Sequence, residues 1–499
     1  MPAASKDPLL NLVLSTIDEK KQALVFVNSK KSAEKTAEDI SKKLKESGTG
    51  MKMSGIALSA VSKPTTQCIR LSECLKKNIA FHHAGLHPEQ KTLIEESFRK
   101  GDVKIICCTP TLAAGLDLPA FRAIIRDTKR FDASRGMVDI PVLEYLQMAG
   151  RAGRPKFDTY GEAILISSTD QQAEALKDKY VNGDPEDIFS KLAVEPILRT
   201  SVLSLVATRL VKNQDELNKF FEKTLWAHQF KDLTQLERIL ERVINMLEEW
   251  EFIDTKNGLK ATDVGMRTAQ LYIDPLTANK LINCIRKASE MSSTTFSWIH
   301  ALCTALEMRP LLRVKMKEYD DVQEKIENKN AMLLENEPSM FEPEYEDWLN
   351  AVKTSFMLDS WVDERDEQWI LENFDTRPGE LKAKLDKSEW LLYSAIELAR
   401  LINKKDVIKD LVRAKIRLKY GVKEELLPLV KIKQVGRIRA RKLFNAGFKD
   451  IGDIRKSTEA VLAQYIGKTA ASRIVKQSGD KEEPIKESRQ GQTGLNSFE

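Results

Sequence analysis

"VKIICCTPTLAAGLDLP" (Val103–Pro119) decides how the first third of the chain is read. Its first half is a short apolar run with no polar alternation, and its second half is a loop of small residues. Such a run suits a strand covered on both faces, as in a parallel sheet. Cys107 and Cys108 are accordingly read as buried strand residues. Three more runs of the same kind, "ALVFVN" (Ala23–Asn28), "RAIIRD" (Arg122–Asp127) and "EAILIS" (Glu162–Ser167), are separated by amphipathic stretches such as "SKKSAEKTAEDISKKLKE" and "PEQKTLIEESFRKG". Strand-like runs alternating with helical ones predict an α/β domain with a mostly parallel, doubly wound sheet. In such a sheet ligands sit at the loops after the carboxyl ends of strands. Attention therefore falls on the loop from Thr109 onward and on "QMAGRAGRP" (Gln147–Pro155), where Arg151 and Arg154 stand among glycines and alanines. Arginine's planar fork suits phosphate, and small neighbours let a large anion approach the backbone; a surface turn with two solvated cations fits those nine residues as well.

The remaining regions differ in texture. Residues 1–185 hold the α/β pattern, and residues 186–265 combine helices with "FIDTKNGLKATDVG", two short strands around an Asn257–Gly258 turn, which suggests a winged helix. Residues 266–402 read as helical, with an acidic loop-like insert, "LLENEPSMFEPEYEDW", and a long last helix, "GELKAKLDKSEWLLYSAIELARLI". On that helix Leu381, Leu385, Leu392, Ile396 and Ala399 form one core stripe, and Trp390 stands off it among Asp386, Ser394 and Glu397. A tryptophan on a polar face wants a second domain or a flat ligand. Residues 403–476 carry a weak repeat, "VGRIRARKL" and "IGKTAASRI", in which a glycine turn enters a helix. Such a turn presents backbone N–H groups to phosphate, with Arg437, Arg439 and Arg441 around Gly436 as counter-charge. Residues 477–499 are polar and read as a disordered tail.

Charge is distributed unevenly. Glu318–Glu372 holds 17 acidic and 4 basic residues, whereas Leu401–Lys476 holds 20 basic and 7 acidic, although the whole chain is only +5. A basic terminal module of this kind suggests a polyanionic partner. The six cysteines form no C-x-x-C pair and no metal-ligand spacing with histidine, so a reduced, cytoplasmic protein without structural zinc is expected. His82, His83 and His87 lack carboxylates at ligand spacing, and no metal site is expected. "IGKT" (Ile466–Thr469) fails as a P-loop because Leu462 stands where a glycine is required, and no other segment reads G-x-x-x-x-G-K-[ST].

Four ordered segments then carry a resemblance. "ALVFVNSKKSAEKTA", "AFHHAGLHPEQ", "CTPTLAAGLDLPAFRAIIRD" and "EYLQMAGRAGRP" resemble motifs IV, IVa, V and VI of superfamily 2 helicases. The wording is most similar to the Ski2-like branch and, within it, to archaeal Hjm-type DNA repair helicases; the likeness runs over about residues 8–476.

The resemblance implies that residues 1–185 are the second of two RecA-like lobes, followed by winged-helix, ratchet-like and helix-hairpin-helix domains. It implies ATP and Mg2+ bound jointly with a first lobe, with Arg151 and Arg154 at the γ-phosphate and Gln147 at the same site. Thr109, Gly115 and Asp117 would couple nucleotide to the strand; here "GLDLP" departs from the branch's more common "GVNLP". Asn28, Ser29 and His83 would contact nucleic acid. "TKRFDASRGMVDIPVLEY" occupies the place of a strand-separating hairpin, with Phe131 or Met137 as wedge. Trp390 would stack on a base, and the turn at Gly436 would hold the exiting strand, although Gln434 stands where the usual pattern has glycine.

In the tail, Gln492, Leu495 and Phe498 form a Q-x-x-L-x-x-F pattern that resembles a sliding-clamp-binding peptide. The expected whole is the C-terminal part of a monomeric 3′–5′ DNA helicase acting on single-stranded or forked DNA in repair and recombination. Without the first lobe's motifs, the expectation is a fragment that binds DNA but does not hydrolyse ATP unaided. The alternatives are a Ski2-type RNA helicase and a non-catalytic, clamp-tethered adaptor.

Overall fold

A computed structural model describes residues 7–61, 63–113, 118–132, 135–153, 158–192, 194–231 and 233–479. Gly115, Asp117, Arg154, Gln492, Leu495 and Phe498 lie outside the described residues. The first region is built on β1 (Ala23–Phe26), β2 (Ile79–His82), β3 (Ile105–Cys108), β4 (Arg122–Ile125), the paired strands β5 (Lys129–Asp132) and β6 (Gly136–Asp139), and β7 (Glu162–Leu165). Five of them form one sheet in the order β2-β3-β1-β4-β7 with every pairing parallel; Val25 of β1 sits between Cys107 and Ile124. β1, β2, β3 and β4 are buried at every position, which suits their largely apolar character. Only β2 escaped the sequence reading as a strand, because "IAFH" ends in histidines that look polar.

Helices cover both faces. Lys30–Ser41 starts where Ser29 accepts a hydrogen bond from the Ser32 N–H, an ordinary N-cap. A π-turn at Lys177–Val181 ends the region and buries Tyr180, whose hydroxyl donates to the Ile140 carbonyl.

Beyond it, the helices Glu195–Ala207, Gln214–Glu222, Leu225–Phe230 and Leu233–Glu249 precede the hairpin β8 (Ile253–Asp254) and β9 (Lys260–Ala261), turned at Gly258 with φ +86°. One hydrophobic core runs from Leu198 through this winged-helix unit and the helical bundle to Leu418. The helix Pro378–Leu401 passes through its middle. The single stripe expected from its sequence is corrected: Leu391, Ala395 and Leu398 are buried as well, together with Ser388 and Ser394. It packs on the helices Asp263–Leu271, Pro275–Ala288 and Ile408–Tyr420, so nearly every face meets a neighbour. The terminal module keeps a separate small core around Leu429, Leu443 and Ile474. No helix among the described residues is long and apolar enough to cross a membrane.

Candidate nucleic-acid cleft and nucleotide-facing edge

The ends of β1, β3 and β4 open onto one cleft of about 830 Å3. Asn28 and Ser29 follow β1, Thr109 and Thr111 follow β3, and Asp127 follows β4; Phe131, Gln147 and Arg377 complete the wall. Parallel strands all end on the same side, so residues far apart in sequence meet there. The Asn28 N–H is held by the Asp127 carboxylate at 3.0 Å, and the Thr109 and Thr111 hydroxyls lie 2.9 Å apart. The amino end of the Lys30–Ser41 helix faces the same space, and its uncapped N–H groups and dipole favour an anion. The cations here are largely engaged: Lys30 pairs with Glu380, Lys31 lies 3.4 Å from Asp375, and Arg130 2.6 Å from Glu144. The cleft is therefore lined by hydroxyls, amides and compensated charge, which suits one strand's backbone better than an isolated dense anion.

At its rim β5 and β6 form an antiparallel hairpin with Phe131 directly opposite Met137. Both are exposed, at 71% and 58%, so neither holds the fold together. The hairpin's base is fixed by Arg130–Glu144 and by Lys179–Asp139 at 2.7 Å. Replacing Phe131 and Met137 together with serine should leave thermal stability within about 0.5 kcal/mol. In a complete enzyme it should slow strand separation by roughly tenfold or more, because an apolar wedge offsets the few kcal/mol of unstacking per step. Melting curves beside a fork-unwinding assay check both halves.

Gln147 lies on the cleft wall, whereas Arg151, one turn further on, points to the neighbouring loop. The Arg151 guanidinium donates through Nε to the Ala113 carbonyl at 3.0 Å, and Nη2 donates to the same oxygen. Backbone bonds run alongside: the Ala120 N–H donates to the Arg151 carbonyl at 2.8 Å, and the Gly153 N–H to that of Ala120 at 2.7 Å. Gly153 has φ +91°, and the Gly161 backbone passes so close that a Cβ at 161 would strike residues 152 and 153. The two loops are thus one mechanical unit, and Arg151 carries no carboxylate partner among the described residues. A guanidinium held by a neutral carbonyl keeps its charge available to an anion. Among the described residues no three His, Cys, Asp or Glu side chains converge as a metal site.

Several expected contacts are corrected. His83 is wholly buried and does not line the cleft. It stacks on Phe81, its Nδ1 accepts the Gly85 N–H at 3.1 Å, and Nε2 faces Glu34 at 3.2 Å. Burial pushes its pKa down, and Glu34 opposes that shift. Burial would raise the Glu34 carboxyl, but His83, Arg377 and Arg70 together hold it down at about 2.

Arg437 and Arg441 are half-buried and engaged by other parts of the protein. Arg441 pairs with Glu364 at 2.5 Å and Glu425 at 2.8 Å, while Arg437 lies over the Trp361 ring and donates to the Arg365 carbonyl at 2.7 Å. The acidic block is their counter-charge, which explains why opposite blocks adjoin. Gly436 and Arg439 remain exposed, and Arg439 donates to the Gln434 carbonyl at 2.8 Å. Gln434 itself adopts φ +68°, so the glycine-like turn forms without glycine.

Trp390 has a structural partner. Its indole N–H donates to the Leu271 carbonyl at 3.0 Å, and Glu397 on the same face pairs with Arg267 at 2.5 Å. The polar face is thus where the helix meets the helix Asp263–Leu271. Trp390→Ala should cost about 2–3 kcal/mol and Trp390→Phe about 1 kcal/mol, read by denaturant melts. If the exposed part of the ring also stacks on a base, Phe should bind single strands nearly as well as Trp while Ala loses affinity.

Sequence reasoning passed over Arg377, Glu34, Asp127 and Thr111. "TRPGEL" signals a helix start through Pro378, but nothing in it announces a partner at residue 34.

A five-stranded parallel sheet followed by a winged helix and a helical bundle defines the class: a RecA-like helicase lobe with its accessory domains. Comparison with known families agrees. Residues 59–156 match the "Helicase conserved C-terminal domain", residues 161–254 a "Helix-turn-helix domain", and residues 296–421 "Archaeal helicase, domain 4". The chain is 38% identical over 96% of its length to a protein of Pyrococcus horikoshii, covering 67% of that protein. It is 37% identical over 96% of its length to one of Methanocella arvoryzae, covering 65%. Both are named ATP-dependent DNA helicase Hel308, and the chain spans about two thirds of the length of these curated relatives. The chain belongs to this Hel308 or Hjm-type, Ski2-like family of superfamily 2 helicases.

Proposed function

We propose that this chain is the strand-gripping part of an ATP-dependent 3′–5′ DNA helicase that opens forked or branched DNA in repair and recombination. The observation that carries the reading is the convergence of Asn28, Ser29, Thr109, Phe131 and Gln147 on one cleft at the carboxyl ends of the sheet, with a hairpin at its mouth. Residues 1–185 act as the second lobe, 186–265 as the winged helix, 266–402 as the ratchet and 403–476 as the helix-hairpin-helix unit. ATP with Mg2+ sits against Arg151, Arg154, Gly115 and Asp117. The opposite wall calls for a G-x-x-x-x-G-K-[ST] loop, a pattern these 499 residues do not contain. ATP supplies the phosphoryl transfer; this side contributes guanidiniums and the loop unit that moves with them.

The protein works as a cytoplasmic monomer, and Gln492, Leu495 and Phe498 tether it to a sliding clamp. Titration with labelled single-stranded DNA, forked DNA and matching RNA tests the reading. DNA binding with little competition from RNA, and negligible phosphate release by the chain alone, is the expected result. Equal preference for RNA would favour the RNA-helicase alternative, and failure to bind either strand would overturn the assignment.

A further inference from the structure

We infer that Arg377 is a positioning residue: through the buried Glu34 carboxylate it registers the amino end of the Pro378–Leu401 helix against the loops of the cleft. The inference rests on the reading of that cleft as the path of a single strand. Arg377 is the N-cap residue of the helix and only 7% exposed. Its Nε donates to Glu34 Oε1 at 3.1 Å, 343 positions away in the chain. Glu34 is held in turn by Arg70 at 2.5 Å and by His83 at 3.2 Å. Gln67 Nε2 donates to the same carboxylate at 3.4 Å, so this buried carboxylate has four nitrogen partners from three segments.

The backbone repeats the connection: the Gly379 N–H donates to the Gly85 carbonyl at 3.0 Å, and neither glycine has room for a Cβ. Lys30, next to the cleft residues Asn28 and Ser29, pairs with Glu380 on the first turn of the same helix. Glu380 also accepts the Arg377 N–H at 2.9 Å, closing a capping box. The helix that carries Trp390 is therefore clamped at its start to the strand-facing loops by one buried ion pair, one surface ion pair and one backbone bond.

A simpler use for Arg377 exists, because it also lines the cleft: its guanidinium could bind a backbone phosphate. The two roles differ at Glu34, which lies behind the cleft wall and does not line it. Removing a negative charge near a polyanion should tighten binding by simple electrostatics. If Glu34 instead holds the helix in register, removing its charge should weaken binding. Losing one partner of a buried charged pair leaves the other uncompensated, and the helix start is then free to shift.

The test uses the whole chain with a labelled single-stranded oligonucleotide, titrated at several salt concentrations for the wild type, Glu34→Gln, Arg377→Met and the double variant. Positioning predicts that each single variant weakens binding about tenfold and that the double is no worse than either single. The dependence of affinity on salt should be unchanged. Amide exchange in the first turn after residue 378 should quicken in all three variants without DNA, which reads the clamp independently of binding. The inference is overturned if Glu34→Gln binds as tightly as wild type or tighter while Arg377→Met alone lowers the salt slope by about one, the mark of a lost phosphate contact. Unchanged exchange at the helix start would overturn it too. A wild-type chain that does not bind the oligonucleotide would sink the strand-path reading first, a failure visible before any variant is made.

Discussion

Exchanging Arg151 and Arg154 together for alanine, in the chain combined with its nucleotide-binding lobe, should lower DNA-stimulated ATP turnover by about 10³-fold or more. Single-strand affinity should stay within about threefold, because no phosphate contact on the strand is removed. The reason lies in where charge builds during phosphoryl transfer: it spreads over the equatorial oxygens of the moving group, and a fixed guanidinium stabilises it without reorganising. Arg151 is prepared for that role by its hold on the Ala113 carbonyl, which fixes the fork while leaving its charge unneutralised. Arg151→Lys should recover little of the loss, since an ammonium cannot reach one carbonyl with two N–H groups and still face outward. Phosphate-release kinetics beside fluorescence anisotropy check the two halves. Equal loss of turnover and of DNA affinity would show that the arginines serve the strand instead.

The parts of this protein that were legible in its sequence are those set by local chemistry. Unbroken apolar runs marked β1, β3, β4 and β7, and Asn257–Gly258 marked the β8–β9 turn; the hairpin of Phe131 and Met137 was expected from the family resemblance instead. What was not legible depends on partners far away in the chain. His83 was expected from the resemblance to contact nucleic acid, but Phe81 and Glu34 enclose it. Arg437 and Arg441 look like phosphate binders until Glu364, Glu425 and Trp361 are brought against them by the fold. Arg377 was passed over for the same reason in reverse, since its partner is set by tertiary packing alone. A charge count records how many cations a segment has, and only the packing decides which of them remain available.

Acid should destabilise this protein in two separable steps, one set by a buried histidine and the other by a carboxylate that its nitrogen partners hold ionised. His300 lies in the bundle with neither ring nitrogen hydrogen-bonded among the described residues, edge-on to Trp348 at 5.9 Å. Burial, with a small contribution from Lys280, pushes its pKa down from 6.5 to about 4. The unfolded chain therefore takes up this proton before the folded one. The associated stability is complete above about pH 6.5 and is lost as pH falls toward 4, by on the order of 3 kcal/mol. Glu34 acts lower. Its folded pKa is about 2 against 4.5 for a free glutamate, so its contribution is complete above about pH 4.5 and disappears as pH falls through 2.

Both steps have the same sign, with stability falling as pH falls, but they occupy different windows and different parts of the molecule. His300→Phe keeps a ring against Trp348 and removes the titration, so it should flatten the loss between pH 6.5 and 4 while leaving the lower step in place. Glu34→Gln should do the converse, at the cost of a lower plateau near neutral pH because Arg377 and Arg70 lose their shared carboxylate. Denaturant melts at half-unit pH intervals resolve the two. An unchanged upper step in His300→Phe would mean that the ring takes up its proton as readily in the fold as in the unfolded chain, and that the interior around Trp348 is wetter than its burial implies.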